Sequence, residues 1–279
     1  MKVLVCCIGR LENRYIREFV DHYKNLGVTN ICLYDNNFDG EEDFTDVISD
    51  YIECGFVIIK NFRNKRHPQF EAYRDCYSNM SADYDWIAFF DVDEFLELHQ
   101  HNNIIEFLSD ERYSSYQAIH IRWKVFGDNG LLSDSGELNK VRFTTPSEGK
   151  EDSELFKIST HVKTIIRTGL YGINILNHHA FHLIGGASHR ACPPSGIEQG
   201  FTAFFSTDDY SVASLSHYCT KTISEFINKA KKGGADTCRS QQDYINNFFV
   251  VNEATKEKVD IVKNELGIDV SHLINTQHE

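Results

Sequence analysis

Apolar residues recur at two spacings along this chain. KVLVCCI (2–8), NICLYD (30–35), FVIIK (56–60) and DWIAFFD (85–91) carry nearly unbroken apolar runs, the mark of strands covered on both faces. Between them the spacing changes to that of a helix. Ile16, Phe19, Val20 and Tyr23 share one face of a segment from Asn13 to Asn25, and Gly27 stands just past its end. Phe44, Val47, Ile48, Tyr51 and Ile52 mark a second helix closed by Gly55. Phe70, Tyr73, Tyr77 and Met80 mark a third over Gln69–Met80. Strands alternating with helices of this length predict βαβ units and a mostly parallel sheet.

After Leu98 the regularity fades. Residues 104–108 predict a short helix, and QAIHIRW (117–123), NKVRFTT (139–145) and HVKTIIRTG (161–169) predict strands. LSDSGELN and PSEGKEDSE read as polar loops. Helices are predicted at 222–232, roughly 240–249 and 254–266. The expected architecture is one α/β domain over 1–279. It has a Rossmann-like half to about residue 100, a mixed-sheet half to about 235 and a helical tail.

The fourth apolar run, WIAFFDVDEF (86–95), ends in Asp91, Asp93 and Glu94. The C-terminal edge of a parallel sheet is where ligands bind. In an extended segment Asp91 and Asp93 would face the same way, with Val92 turned to the core. Two carboxylates so placed repel unless a cation lies between them. Hard divalent ions prefer oxygen donors, and Mg²⁺ keeps positions open for substrate phosphates. An EF-hand is excluded by Phe95. A phosphohydrolase with Asp91 as nucleophile also places D-x-D after an apolar strand, though usually the first strand. It stays as an alternative, as does a non-catalytic carbohydrate-binding protein.

Composition narrows the classes. With 41% hydrophobic and 25% charged residues the chain is of ordinary globular type. A formal net charge of −13 argues against nucleic acid, and RNKRH (63–67) is large enough only for one anionic ligand. No apolar stretch approaches the length of a membrane span. The expectation is a cytoplasmic protein, or one peripheral at the inner face of the membrane. The eight cysteines form no CxxC pair and read as small buried hydrophobes kept reduced.

Several blocks together resemble glycosyltransferase family 92 and related bacterial family 2-like enzymes. They are CCIGRLENRYIREFVDHYKNLGVTNICLYDNNFDG, QFEAYRDCY, DWIAFFDVDEFL, IRWKVFGDNG, VKTIIR, NHHAF and LSHYCTKTISEFINKAKKGGAD. They cover nearly the whole chain, in the family's order. The sequence departs at Arg10 and Leu11, where relatives commonly carry Lys-Asn, and at Asp128, where Ser is usual. The resemblance implies a GT-A fold and an inverting transfer from a nucleotide-sugar, with UDP-sugars favoured. It implies Mn²⁺ or Mg²⁺ on the diphosphate and a glycan or lipid-linked acceptor in surface polysaccharide synthesis.

Roles follow for single residues. Asp93 is the first expected metal ligand; Asp91 would face the ribose and reach the metal too. Thr222 and Glu225 spell a capping box. His217 and Lys221 just before it suit an anion near a helix start, His217 as metal ligand and Lys221 on the diphosphate. The resemblance puts His179 on the acceptor side and Glu12 and Asp35 beside the nucleoside. Arg74 and Lys163 are candidate phosphate contacts. The base that takes the acceptor's proton is sought among Asp128, Glu198, Asp208, Asp209 and Asp236, with Asp236 and Glu198 named first.

Overall fold

The computed structural model describes residues 1–170, 173–175, 179, 181–183, 190–197, 204, 210–233 and 240–275. The chain forms two compact units. The first is residues 1–123 with 160–216, the second residues 124–159 with 217–279.

The first unit opens as the apolar pattern predicts. Strand β1 (Val3–Gly9), helix α1 (Asn13–Asn25), strand β2 (Asn30–Asp35), helix α2 (Thr45–Glu53) and strand β3 (Val57–Asn61) follow in turn. Helix α3 (Gln69–Met80) and strand β4 (Trp86–Phe89) complete the repeat. Strand β5 (Glu94–Leu98), helix α4 (Ile104–Leu108) and strand β6 (Ala118–Val125) come next. Helices α5 (Asn139–Arg142) and α6 (Glu154–Ser159) belong to the second unit. The chain then returns through β7 (Val162–Arg167), the short strands β8 (Ile173–Asn174), β9 (His182–Leu183) and β10 (Ala191–Cys192), and β11 (Ala213–His217).

Among the described residues the main sheet runs β3-β2-β1-β4-β7-β6-β11-β5, with β10 on β6. The β3-β2-β1-β4 half is parallel and β7 is antiparallel to both of its neighbours. This is the expected mixed α/β architecture, a Rossmann-like parallel half continued by a mixed sheet.

Both faces of β4 are covered, which is why its sequence shows no alternation. On one face Phe89 lies 4.9 Å from Tyr73 of α3 and 4.6 Å from Phe181 between ring centroids. Just past its end Tyr23 of α1 stacks on Phe90 at 5.7 Å, and on β5 Phe95 meets Phe19 of α1 at 6.1 Å. The seven cysteines among the described residues are free thiols. Burial pushes the Cys6 thiol up to about 12.

In the second unit helices α7 (Ile223–Lys232), α8 (Gln241–Val251) and α9 (Lys256–Leu266) share a core built on Phe226, Ile227, Phe248 and Val262. Thr222 and Glu225 cap α7 reciprocally, as their spacing predicts. NKVRFTT does not form the expected strand. Its first four residues are helix α5, because the buried Arg142 guanidinium is drawn onto Glu225 in a two-point contact at 2.7 and 2.9 Å. The polar stretch expected as a loop ends in helix α6.

Candidate functional site

Parallel pairing sets Gly9 level with Asp35 and Cys6 level with Phe89, so the loops after β1, β2 and β4 leave the sheet at one edge. Glu12, Asp35, Asp91 and Asp93 all follow that edge. At Gly9 any Cβ would come within 2.9 Å of the Phe44 ring, which leaves room for glycine alone. The chain then turns sharply. Leu11 adopts φ of 55°, and its N–H donates to Asn37 Oδ1 at 2.8 Å. A leucine there is strained, and asparagine tolerates the left-handed region better. Leu11→Asn is therefore expected to raise stability by about 0.5–1 kcal/mol. A higher urea midpoint at unchanged slope would show it. The neighbouring departure, Arg10, grips Glu41 with both ends of its fork at 2.6 and 2.9 Å. A lysine cannot reproduce that two-point contact.

The acidic segment after β4 is a tight turn. Glu94 N–H donates to the Asp91 carbonyl at 3.0 Å, closing a four-residue turn over Asp91–Glu94. The extended geometry expected there does not hold, so alternation does not set the directions of Asp91 and Asp93. The Asp91 N–H returns a bond to Glu94 Oε2 at 2.8 Å. Helix α1 anchors the far side: the Tyr23 hydroxyl donates to the Glu94 carbonyl at 2.9 Å and accepts from Leu96 N–H at 3.1 Å.

Asp91 is gripped from two elements. Gln69 Nε2 and the Tyr73 hydroxyl, one helical turn apart on α3, donate to its Oδ1 at 2.8 and 3.1 Å. Burial, and then the Asp91 charge, hold the Tyr73 phenol well above its ordinary range, so it stays a donor. From β7, the fully buried Lys163 ammonium donates to Asp91 Oδ2 at 2.7 Å and stands 3.6 Å from Glu94 Oε2. Lys163 was expected on a phosphate; the structure pairs it with these two carboxylates instead. An ammonium this deep costs several kcal/mol to desolvate and persists only beside a carboxylate. Burial pushes the Lys163 pKa down, but Asp91 and Glu94 outweigh it and the net direction is up. Glu94 is buried too and accepts from the Trp123 indole N–H at 2.8 Å. Burial holds its carboxyl well above the ordinary range, against the pull of Lys163.

Asp93 occupies the third position of the turn and lies close enough to act on both Lys163 and Glu94 through its charge. Among the described residues no group of three or more His, Cys, Asp or Glu side chains is arranged to enclose a metal. What the turn offers is carboxylate oxygen from one or two side chains. That suits a hard cation completed by water and substrate phosphate, as Mg²⁺ sites commonly are.

The other expected residues divide. Asp35 is buried; Oδ1 accepts from Asn37 N–H and Nδ2 at 2.9 and 2.8 Å, and Oδ2 accepts from Arg63 at 2.7 Å. The basic stretch thus commits Arg63 to Asp35, and Lys65 pairs with Glu71. Glu12 starts α1, its carbonyl accepting from Tyr15 and Ile16 N–H. Arg74 lies exposed on α3 and donates to the Ile175 carbonyl at 2.9 Å. His179 donates Nδ1–H to the Val162 carbonyl at 3.1 Å, and its ring packs 5.1 Å from Trp123. His217 and Lys221 are buried in the second unit, Lys221 with φ of 51° just before the α7 cap. Asp128, one base candidate, is held there by Lys258 at 2.6 Å and by its own bond to Gly130 N–H. Glu198, Asp208, Asp209 and Asp236 lie outside the described residues. Gln69, Tyr73 and Trp123 were not singled out, although Gln69 and Tyr73 show their i, i+4 spacing in QFEAYRDCY.

The family model of Glycosyltransferase family 92 matches residues 2–197. A family 92 protein of Ricinus communis is 26% identical over 70% of this chain and 34% of its own length. One from Arabidopsis thaliana is 27% identical over 68% of this chain and 33% of its own. The chain therefore spans about a third of the length of these relatives. Among solved structures, S. aureus TarS 1-349 in complex with UDP is similar with a TM-score of 0.39 and 15% identity. That likeness covers 60% of this chain and 47% of the other. No helix among the described residues is long and apolar enough to cross a membrane.

Proposed function

We propose that this chain, which belongs to glycosyltransferase family 92, moves a sugar from a nucleotide-sugar to a hydroxyl of a glycan or lipid-linked acceptor. The observation that carries the reading is the acidic turn Asp91–Glu94 at the carboxyl edge of the parallel strands, the edge at which open α/β sheets bind their ligands. Family membership counts against the phosphohydrolase alternative.

In this reading Asp93 holds Mn²⁺ or Mg²⁺, which when bound neutralises charge on the leaving diphosphate. Glu12 and Asp35 border the nucleoside. His217 and Lys221 keep their expected roles toward metal and diphosphate as part of the proposal, and His179 its role on the acceptor side. The acceptor oxygen forms its bond to the anomeric carbon as the bond to the diphosphate breaks, so the sugar inverts. The acceptor's proton passes to a carboxylate, for which Asp236 and Glu198 remain the candidates. UDP-sugars are the donors to try first.

Thermal unfolding with nucleotides tests this. A ligand that binds only the folded state stabilises it by about 2.7 kcal/mol at 100 times its Kd. For a chain of this size that is a rise of several degrees in Tm. UDP with Mn²⁺ is expected to give that rise, and UDP with EDTA much less. GDP or CDP outperforming UDP would overturn the donor class. No shift with any nucleotide would overturn the transferase.

A further inference from the structure

We infer that Lys163 is a positioning residue that holds Asp91 off the divalent cation, leaving the cation to Asp93. The inference rests on the metal-dependent reading above and goes further by giving the buried Lys163 a part in it.

Three observations carry it. The Lys163 ammonium is fully buried, and leaving its carboxylates would strand the charge away from water at a cost of several kcal/mol. It donates to Asp91 Oδ2 at 2.7 Å, while Gln69 and Tyr73 take Oδ1. Both oxygens of Asp91 are therefore engaged, from α3 on one side and β7 on the other. A divalent ion drawing on Oδ2 would have to compete with a fixed positive charge already bonded to it, and like charges at that distance repel strongly.

Charge counting gives the test an unusual sign. Lys163→Met removes the internal cation and leaves the acidic turn uncompensated. Asp91 is then released to bind metal. A residue that merely stabilises the turn would weaken metal binding when removed. A residue that holds Asp91 in reserve strengthens it.

Mn²⁺ titrations followed by electron paramagnetic resonance, with UDP present, read this without any turnover. Lys163→Met is expected to bind Mn²⁺ about tenfold more tightly than wild type, while its sugar transfer falls. Lys163→Arg keeps the charge and should stay within about threefold of wild type. The double variant Lys163→Met with Asp91→Asn removes both charges at nearly constant shape, so it can fold where the single variant does not. Its Mn²⁺ affinity should also lie within about threefold of wild type, because Asp91 supplies no metal bond in either. Unchanged or weaker Mn²⁺ binding by Lys163→Met overturns the inference. So does a loss of tenfold or more in the double variant, which would make Asp91 a metal ligand. Wild type that binds no Mn²⁺ even with UDP overturns the metal reading itself, a different result from either.

Discussion

Asp93→Asn is expected to lower kcat by about 10²–10³-fold, the scale for losing one electrostatic stabiliser of a leaving anion. The change is nearly isosteric and sits at the third position of a turn closed by backbone atoms, Glu94 N–H to the Asp91 carbonyl at 3.0 Å. Because backbone atoms close the turn, the fold should persist, and Tm is expected within a few degrees of wild type. Wild-type transfer should stop in EDTA and return with Mn²⁺, while the variant should need far more Mn²⁺ or fail to recover. Transfer by the variant within threefold of wild type, at the same Mn²⁺ requirement, would remove Asp93 from the metal.

The second large effect is on stability against pH. His120 lies on β6, fully buried, and burial lowers its pKa from 6.5 to about 4. The folded protein keeps the imidazole neutral, whereas the unfolded chain protonates it below about pH 6.5. The unfolded state therefore binds more protons in this window, and stability falls as pH drops from 6.5 towards 4. The depressed value corresponds to about 3 kcal/mol. His120→Leu removes the titration. Wild type should lose about 3 kcal/mol more than the variant between pH 7 and pH 4 in urea unfolding. Parallel losses in the two proteins would show that His120 is not buried neutral.

The parts of the molecule that sequence made legible are those whose determinants are local. Helices α1 and α3 begin and end at the expected residues because their apolar faces repeat at helical spacing and Gly27 ends the first with φ of 89°. The α7 cap needs only Thr222 and Glu225. What stayed hidden depends on distant partners. The turn at Asp91–Glu94 was taken as extended because its closing bonds are invisible in the letters DVDE. Strand β5 went unremarked because it begins at Glu94, whose charge breaks the apolar pattern. Lys163 was assigned by its charge alone, while the nearby Val162, Ile165 and Ile166 already placed it inside the sheet. The carboxylate that explains it stands 72 residues earlier. Arg142 turned an expected strand into a helix for the same kind of reason, its partner Glu225 lying 83 residues on.

That 72-residue separation also orders events at the ribosome. Strand β4 emerges with its β1 partner already made, but the partner of its other edge, β7, is still to come. A chain growing at about 5–20 residues per second leaves that edge open for about 4–14 s. During this interval an apolar strand presents unpaired backbone next to three uncompensated acids. Open edges of this kind recruit other strands, and the mutual repulsion of neighbouring acidic turns works against two nascent chains pairing there. The acids of the Asp91–Glu94 turn thus also guard the open edge of β4 while the chain is being made.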